Sequence, residues 1–248
     1  MVSTRFLLLI LLTFSTALSA QTEFTPARQQ AMQYMQKAER LKRSGALTES
    51  YKAYTNAILV DPGYAEAYMK RALLLRQMGR YTESMDDYNK AIDLNPYSEV
   101  YYDQRARLKM LRSDYRDAIT DLTKALELSP YDDYLLDARA LARLRAGEYQ
   151  DALNDFDFIL ELNSKDTLTY LKRAITYMRA GMPEAARSDL DSALALAPRS
   201  ELVHDVYGLY RLHVNEPEEA IKSFTAAIDY NPTFAIAYYN RSVAYKKL

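Results

Sequence analysis

The sequence predicts an all-α protein made of tandem antiparallel helix pairs, and two observations carry that prediction. One motif recurs along the chain, because "YTESMDDYNKAIDLNP" at 81–96 is followed by "YRDAITDLTKALELSP" at 115–130. The residues that close the six copies lie 34 positions apart, at Pro62, Pro96, Pro130, Ser164, Pro198 and Pro232. A fixed period of this length indicates stacked repeats, and 34 residues suit a helix–turn–helix repeat.

Each repeat is predicted to contain two helices. In the second repeat, the segment 65–79 ends at Gly79, and glycine suits the left-handed conformation that often ends a helix. Equivalent glycines stand at Gly45, Gly147 and Gly181. The segment 81–94 spaces its apolar residues close to the 3.6-residue helical period and is followed by a proline. Pro183 and Pro217 stand where a second helix begins, a position that tolerates the missing N–H group.

These markers resemble the tetratricopeptide repeat family across about residues 31–248. The family's small residue on the first helix is Ala38, Ala72, Ala106, Ala140, Ala174 or Gly208. Its small partner on the second helix is Ser50, Ser84, Ala118, Ala152, Ala186 or Ala220, and the packing residue four positions later is Tyr54, Tyr88, Leu122, Phe156, Leu190 or Phe224. The usual tryptophan is replaced by Tyr34, Tyr68, Tyr102, Leu136, Tyr170 or His204. The resemblance implies a right-handed solenoid whose first helices line a concave face.

The period sets the predicted domain boundaries. Six 34-residue repeats occupy 31–64, 65–98, 99–132, 133–166, 167–200 and 201–234, after an N-terminal linker at 21–30. A further first helix at 235–248 carries Tyr238, Arg241 and Ala244 like an internal repeat. Because a terminal capping helix should show a more polar outer face, this segment is either a modest cap or the first half of a seventh repeat in a longer chain.

The N-terminus has the residue order of a secretory signal peptide at 1–20. Arg5 precedes an apolar run at 6–14, and small residues follow up to Ala20. The apolar run is shorter than the roughly 20 residues of a membrane-spanning helix, so an uncleaved anchor is the less favoured alternative. Cleavage is expected after Ala20, or after Ala17 because Leu18 is large for its place before the first site. The sequence therefore predicts an exported protein, periplasmic in a bacterium or secreted, with no membrane span in the mature chain.

Composition and motifs argue against several classes of function. The chain has 248 residues, a formal net charge of −1 and no cysteine, so neither nucleic-acid binding nor a disulfide framework is indicated. His204 and His213 lie nine residues apart and should point to opposite faces of a helix, which argues against a shared metal ion. No phosphate-binding glycine motif and no catalytic constellation is apparent. We therefore expect no enzyme activity, no cofactor and no metal, and we interpret most of the 22 tyrosines as core residues.

The expected binding surface is the face lined by the first helices. In the early repeats its residues are mixed: Met32, Met35, Glu39, Lys42, Glu66, Met69, Leu73, Arg76, Asp103 and Arg107. In the later repeats they become apolar, and an exposed apolar strip usually marks a binding site. The predicted partner-binding groove comprises Tyr134, Leu141, Leu144, Leu168, Leu171, Ile175, Met178, Leu202, Leu209 and Leu212. The alternative for these residues is packing between neighbouring helices.

The favoured function is an exported, non-enzymatic scaffold that binds a protein or peptide. Some family members clamp a C-terminal carboxylate with lysine and asparagine, but Met35, Glu39, Met69 and Leu73 occupy those positions here, so that clamp is not expected. Two alternatives stay open: a structural element of the envelope that assembles with copies of itself through the last helix, and an accessory to an enzymatic or glycan-handling complex.

Aligning the repeats with one another predicts four ion pairs. Position 7 of the repeat is arginine in repeats two to five, and position 23 is aspartate in the same four repeats. Each arginine is expected to pair with the aspartate of its own repeat and to fix the register of the two helices. The pairs are Arg71–Asp87, Arg105–Asp121, Arg139–Asp155 and Arg173–Asp189, and Arg241 is expected to stay single because its second helix is missing.

Overall fold

A computed structural model describes residues 25–248. Within this range the chain forms thirteen helices and no strand. The predicted signal peptide at 1–20 and its cleavage sites lie outside the described residues. The helices are α1 Pro26–Arg43, α2 Leu47–Val60, α3 Ala65–Gln77, α4 Tyr81–Leu94, α5 Glu99–Leu111, α6 Tyr115–Leu128, α7 Asp133–Ala146, α8 Tyr149–Leu162, α9 Thr167–Arg179, α10 Pro183–Leu196, α11 Glu201–His213, α12 Pro217–Tyr230 and α13 Ala235–Tyr245.

The described chain divides into two compact units. The first ends at Arg112 and contains α1 to α5, and the second, Ser113–Leu248, contains α6 to α13. Within each unit a first helix packs against the second helix of its own repeat, as in α1–α2, α3–α4, α7–α8, α9–α10 and α11–α12. Each second helix also contacts the first helix of the next repeat. The predicted all-α fold of adjacent helix pairs is confirmed.

The helices begin and end for identifiable reasons. Gly45, Gly79, Gly147 and Gly181 all have φ between 75° and 82°, which confirms their role after a first helix. Ser113 and Asn215 occupy the same repeat position and adopt φ of 65° and 64°, so this turn keeps its left-handed shape even without glycine. At the N-terminus, α1 already begins at Pro26 because Thr25 accepts a hydrogen bond from the Arg28 amide. Residues 26–30, predicted as linker, are therefore helical.

The small residues of the repeat lie where helix backbones approach each other. Those on the first helix are fully buried in repeats one to five, and Ser50 and Ser84 donate 2.8 Å hydrogen bonds to the carbonyls of Ala38 and Ala72. Gly208 is the sixth of these positions, and a Cβ added there would lie 2.4 Å from a ring carbon of Phe224. Small side chains on both helices therefore allow the close approach on which each pair depends.

The packing residue of the second helix is fully buried in all six repeats. Tyr54 and Tyr88 occupy this position in the first unit. The Tyr54 hydroxyl donates a 2.6 Å hydrogen bond to Glu39, whereas the Tyr88 hydroxyl is buried without a hydrogen-bond partner among the described residues. Phenylalanine and leucine fill the same site elsewhere, so the position needs a large apolar side chain and does not need a hydroxyl.

Candidate functional site

The candidate site is the surface of the first helices in the second unit, which holds all ten predicted groove residues. Three of them, Tyr134, Leu168 and Leu202, stand at the second position of their repeats and are 55%, 48% and 38% exposed. Ile236, 34 residues after Leu202, is 47% exposed on α13. The prediction missed Ile236, although the 34-residue period alone would have identified it. We call these four residues the apolar row.

Four other predicted residues are half-buried and support the surface from below. Ile175 packs against the core formed by α9, α10 and α11, and Leu209 and Leu212 pack against the cluster of Ala220, Phe224 and Ala244. Leu141 is likewise only partly exposed. Each of these side chains therefore has part of its area exposed and part covered by neighbouring residues.

Leu144, Leu171 and Met178 are buried, which corrects the expectation of a continuous exposed strip. Leu171 and Met178 share a core cluster with Val203, Val206 and other residues of the following repeat. Their side chains therefore face the next first helix and not the solvent. Sequence periodicity placed them on the correct helix, but it did not show that the neighbouring repeat covers them.

Two polar contacts join consecutive first helices in the second unit. The Lys172 ammonium donates to the Asp137 carboxylate at 2.6 Å, and the Asn240 amide donates to both oxygens of Asp205 at 2.9 and 3.2 Å. The two contacts are equivalent in the repeat, since each joins position 5 to position 6 of the next repeat. Burial raises the pKa of the Asp205 carboxyl, while the Asn240 hydrogen bond acts in the opposite direction. The apolar surface therefore contains a buried acid whose partner carries no charge.

The predicted ion pairs are confirmed wherever the arginine and the aspartate belong to the same unit. Arg71 donates from Nε and Nη2 to the two oxygens of Asp87, both at 2.7 Å. The pairs Arg139–Asp155 and Arg173–Asp189 have the same two-pronged geometry, with shortest distances of 2.7 and 2.6 Å. The fourth predicted pair is divided between the two units.

The same arginines also reach back to the preceding repeat, a contact that the prediction missed. Their Nη1 atoms donate to position 25 of the previous second helix, as Arg173 does to Asp157 at 2.6 Å. Arg241 donates in this way to Thr225 at 3.1 Å. Among the described residues it has no ion pair, which agrees with the expectation that it lacks a charged partner. The sequence signal was present, because position 25 is a hydrogen-bonding residue in every repeat: Thr55, Asn89, Thr123, Asp157, Asp191 and Thr225.

The first unit carries a different surface on its first helices. An open cleft of about 650 Å³ lies along α1 and the start of α3, with Met32 and Met35 among its apolar walls. Arg40, Arg43 and Lys70 also line it. Of the residues expected on this face, Met32, Met35, Glu39 and Glu66 line the cleft, whereas Met69 and Asp103 are buried.

The histidines and acidic side chains of the described residues do not form a metal-binding group. Within residues 25–248 no group of three or more histidine, cysteine or acidic side chains could bind a metal ion. His204 contacts the Pro198 carbonyl at 2.9 Å and its ring lies against Tyr230, whereas His213 is exposed. In the same part of the chain, no helix is both long and apolar enough to cross a bilayer.

Comparisons with known proteins agree with the repeat architecture. Family models described as tetratricopeptide repeat match residues 65–98 and 138–201. A tetratricopeptide repeat protein from Parabacteroides merdae is similar in structure, with 20% sequence identity and a TM-score of 0.60 over 92% of this chain and 89% of that one. No curated protein sequence matches the chain.

Two further solved structures share the fold. MamA has 17% identity and a TM-score of 0.63, covering 68% of this chain and 93% of its own. YrrB, described as a tetratricopeptide repeat protein with an unusual peptide-binding site, has 21% identity and a TM-score of 0.59, covering 77% of this chain and 99% of its own. At these identities the likeness concerns the fold alone. The chain thus contains tetratricopeptide repeats and has the paired-helix fold of proteins built from them.

Proposed function

We propose that the protein is an exported, non-enzymatic scaffold that binds a protein or peptide through the first helices of its second unit. One observation carries this proposal: the four residues of the apolar row recur at 34-residue intervals on successive first helices and are 38–55% exposed. Apolar area recurring at the same place in four successive repeats is typical of an interaction surface. A tetratricopeptide repeat fold is itself consistent with protein–protein interaction.

The spacing of the apolar row predicts the spacing of the apolar side chains in a bound segment. Packed helices lie about 8–10 Å apart, so neighbouring row residues are expected at about that interval. A peptide in the polyproline II conformation advances about 9 Å in three residues and returns to the same face, and an α-helix advances about 10.5 Å in seven residues. A segment with an apolar side chain every third residue in polyproline II form, or every seventh residue in helical form, would therefore match the row.

The half-buried residues beneath the row make the proposed site deeper than four isolated side chains. A partner side chain that removes a leucine from water gains about 1.5–3 kcal/mol when burial is complete. Leu141 and Ile175 can contribute only part of that gain because part of each side chain is already packed. The four exposed residues of the apolar row are therefore expected to contribute most of the binding free energy.

Substitution of the row tests the proposal. We expect Leu168→Asp and Leu202→Asp to abolish photo-crosslinking of a partner in the native compartment while helicity and melting temperature stay unchanged. Met182→Asp is the matched control, because Met182 is 44% exposed but lies in the turn between α9 and α10. If the control removes crosslinks as effectively as the row variants, the surface we assign is not the binding site.

Export is the second part of the proposal, and it is supported by the order of charged, apolar and small residues at 1–20. N-terminal sequencing of the mature protein should begin near Gln21 or Leu18. A mature protein that still begins at Met1 and fractionates with the membrane would exclude export with cleavage.

A further inference from the structure

The fourth repeat lacks an aromatic ring that other first helices place against the arginine at position 7. On α3, α5, α9 and α13, position 4 is a tyrosine whose ring centre lies 5.6–5.8 Å from the central carbon of that arginine's guanidinium. The pairs are Tyr68–Arg71, Tyr102–Arg105, Tyr170–Arg173 and Tyr238–Arg241. In the fourth repeat, position 7 is Arg139 but position 4 is Leu136, so position 4 supplies no ring there.

An open pocket of about 420 Å³ is lined by both Leu136 and Arg139, with Leu126 and Phe158 as further apolar walls. We call these four residues and the space between them the ring pocket. Phe158 lies at position 26, which in the other repeats is Asn56, Lys90, Lys124, Ser192 or Ala226. Its ring centre is 6.0 Å from that of the exposed Tyr131. A cavity of about 150 Å³ is enough to hold benzene, so the ring pocket has room for an aromatic ring.

The Arg139 guanidinium is held by its edges, which leaves its face as the surface for a ligand. Its Nε and Nη2 donate to Asp155 at 3.1 and 2.7 Å, and its Nη1 donates to Thr123 at 3.3 Å. The Asp155 side chain is only 4% exposed and compensates the positive charge. Glu127 also lines the pocket. An anionic ligand is therefore disfavoured, whereas a neutral aromatic ring can stack on the guanidinium face without displacing these hydrogen bonds.

We propose that the ring pocket binds an aromatic side chain of a partner protein, with its ring stacked on Arg139. The bound ring would take the place that Tyr68 or Tyr170 occupies in its own repeat. The mouth of the pocket is formed by exposed residues, so a side chain can enter while its backbone stays outside: Glu127, Pro130 and Asn154. No residue of the apolar row lines the ring pocket, so the two surfaces can be tested separately.

Blocked amino acids test the chemistry of the occupant. N-acetyl-tyrosinamide serves as the probe, and N-acetyl-leucinamide is the apolar control without a ring. Each is titrated into the protein while the methyl signals of Leu126 and Leu136 are followed by NMR. We expect saturable shifts in the millimolar range, with the tyrosine probe binding about tenfold more tightly because only its ring can stack on the guanidinium. Equal affinities, or no shift with the tyrosine probe, would overturn the proposal.

Two substitutions in the protein test the place of binding. Leu136→Tyr should abolish binding of N-acetyl-tyrosinamide, followed at the Leu126 methyl groups, because the new ring would fill the ring pocket. The melting temperature should not fall, since other repeats carry tyrosine at this position. Phe158→Ala, which introduces the residue that repeat six has at this position, should weaken binding about tenfold because one apolar wall is lost.

Leu168→Tyr is the matched control, because Leu168 is 48% exposed on the apolar row and the change should leave the affinity for the probe unaltered. Unchanged affinity in a folded Leu136→Tyr or Phe158→Ala protein would overturn the proposal, and so would an equal loss in the control. The compound p-cresol, which is the tyrosine side chain without its backbone, separates a protein side chain from a free phenol. If p-cresol binds the pocket and N-acetyl-tyrosinamide does not, the occupant is a free phenol and the assignment to a partner protein is wrong.

Discussion

Arg173→Met tests whether the arginine–aspartate ion pairs stabilise the second unit. Arg173 donates to Asp189 from Nε at 2.8 Å and from Nη2 at 2.6 Å, and to Asp157 from Nη1 at 2.6 Å. The side chain of Asp189 is only 5% exposed, whereas that of Asp157 is 46% exposed. Once the arginine is removed, water can solvate Asp157, but Asp189 remains a buried charge without a counterion.

That asymmetry sets the size of the expected effect. Removing one partner of a buried ion pair costs about 3–5 kcal/mol, because the other charge stays uncompensated. Replacing both members by apolar residues of similar volume is often neutral. Arg173→Met should therefore lower the free energy of unfolding by about 3–5 kcal/mol, and Arg173→Met with Asp189→Leu should recover most of that loss.

Urea denaturation of the full chain, followed by circular dichroism, measures these differences as a double-mutant cycle. Arg187→Met is the matched control in the same unit, because both side chains of its ion pair with Asp191 are more than half exposed. That change should alter stability by about 0–1 kcal/mol. A loss for Arg173→Met no larger than for Arg187→Met, or a double variant less stable than the single one, would refute the argument from burial.

Three further comparisons between variants are expected to separate packing from polar effects in thermal and urea denaturation. Tyr54→Phe should lower the free energy of unfolding by about 1.5–3 kcal/mol because it removes a hydrogen bond to a carboxylate. Tyr88→Phe, at an equally buried position whose hydroxyl has no described partner, should be neutral or stabilising. Equal losses for the two variants would contradict this. Gly208→Ala should destabilise the protein, because an overpacking cost of about 1–3 kcal/mol outweighs a gain of about 1 kcal/mol in helix propensity. Adding Phe224→Leu should restore the lost stability. If the second substitution does not restore it, the close contact with Phe224 is not the cause of the loss. Asp205→Asn should raise stability at pH 7, because burial raises the pKa of this carboxyl and so disfavours its ionised form. The advantage of that variant should shrink as the pH falls through the raised pKa and the wild-type carboxyl becomes protonated; a pH-independent difference would contradict the assignment.

The sequence by itself determined the secondary structure and the pairing of helices. A 34-residue period with small residues at two fixed positions leaves few ways to bury the apolar faces, and the structure has the predicted helix pairs. Pairs such as Arg173–Asp189 were predictable for the same reason, because two positions that change together within a repeat lie on helices that pack together.

Only the tertiary structure decided which apolar residues stay exposed. Leu171 and Leu168 belong to the same helix and are chemically identical, yet Leu171 is 2% exposed and Leu168 48% exposed. The difference arises because the next first helix covers one and not the other, and a pattern read along one helix does not show what its neighbour covers. The same is true of Arg241, whose contact with Thr225 depends on the preceding repeat. Local periodicity thus specifies the helices, and the contacts between repeats decide which of their side chains remain exposed.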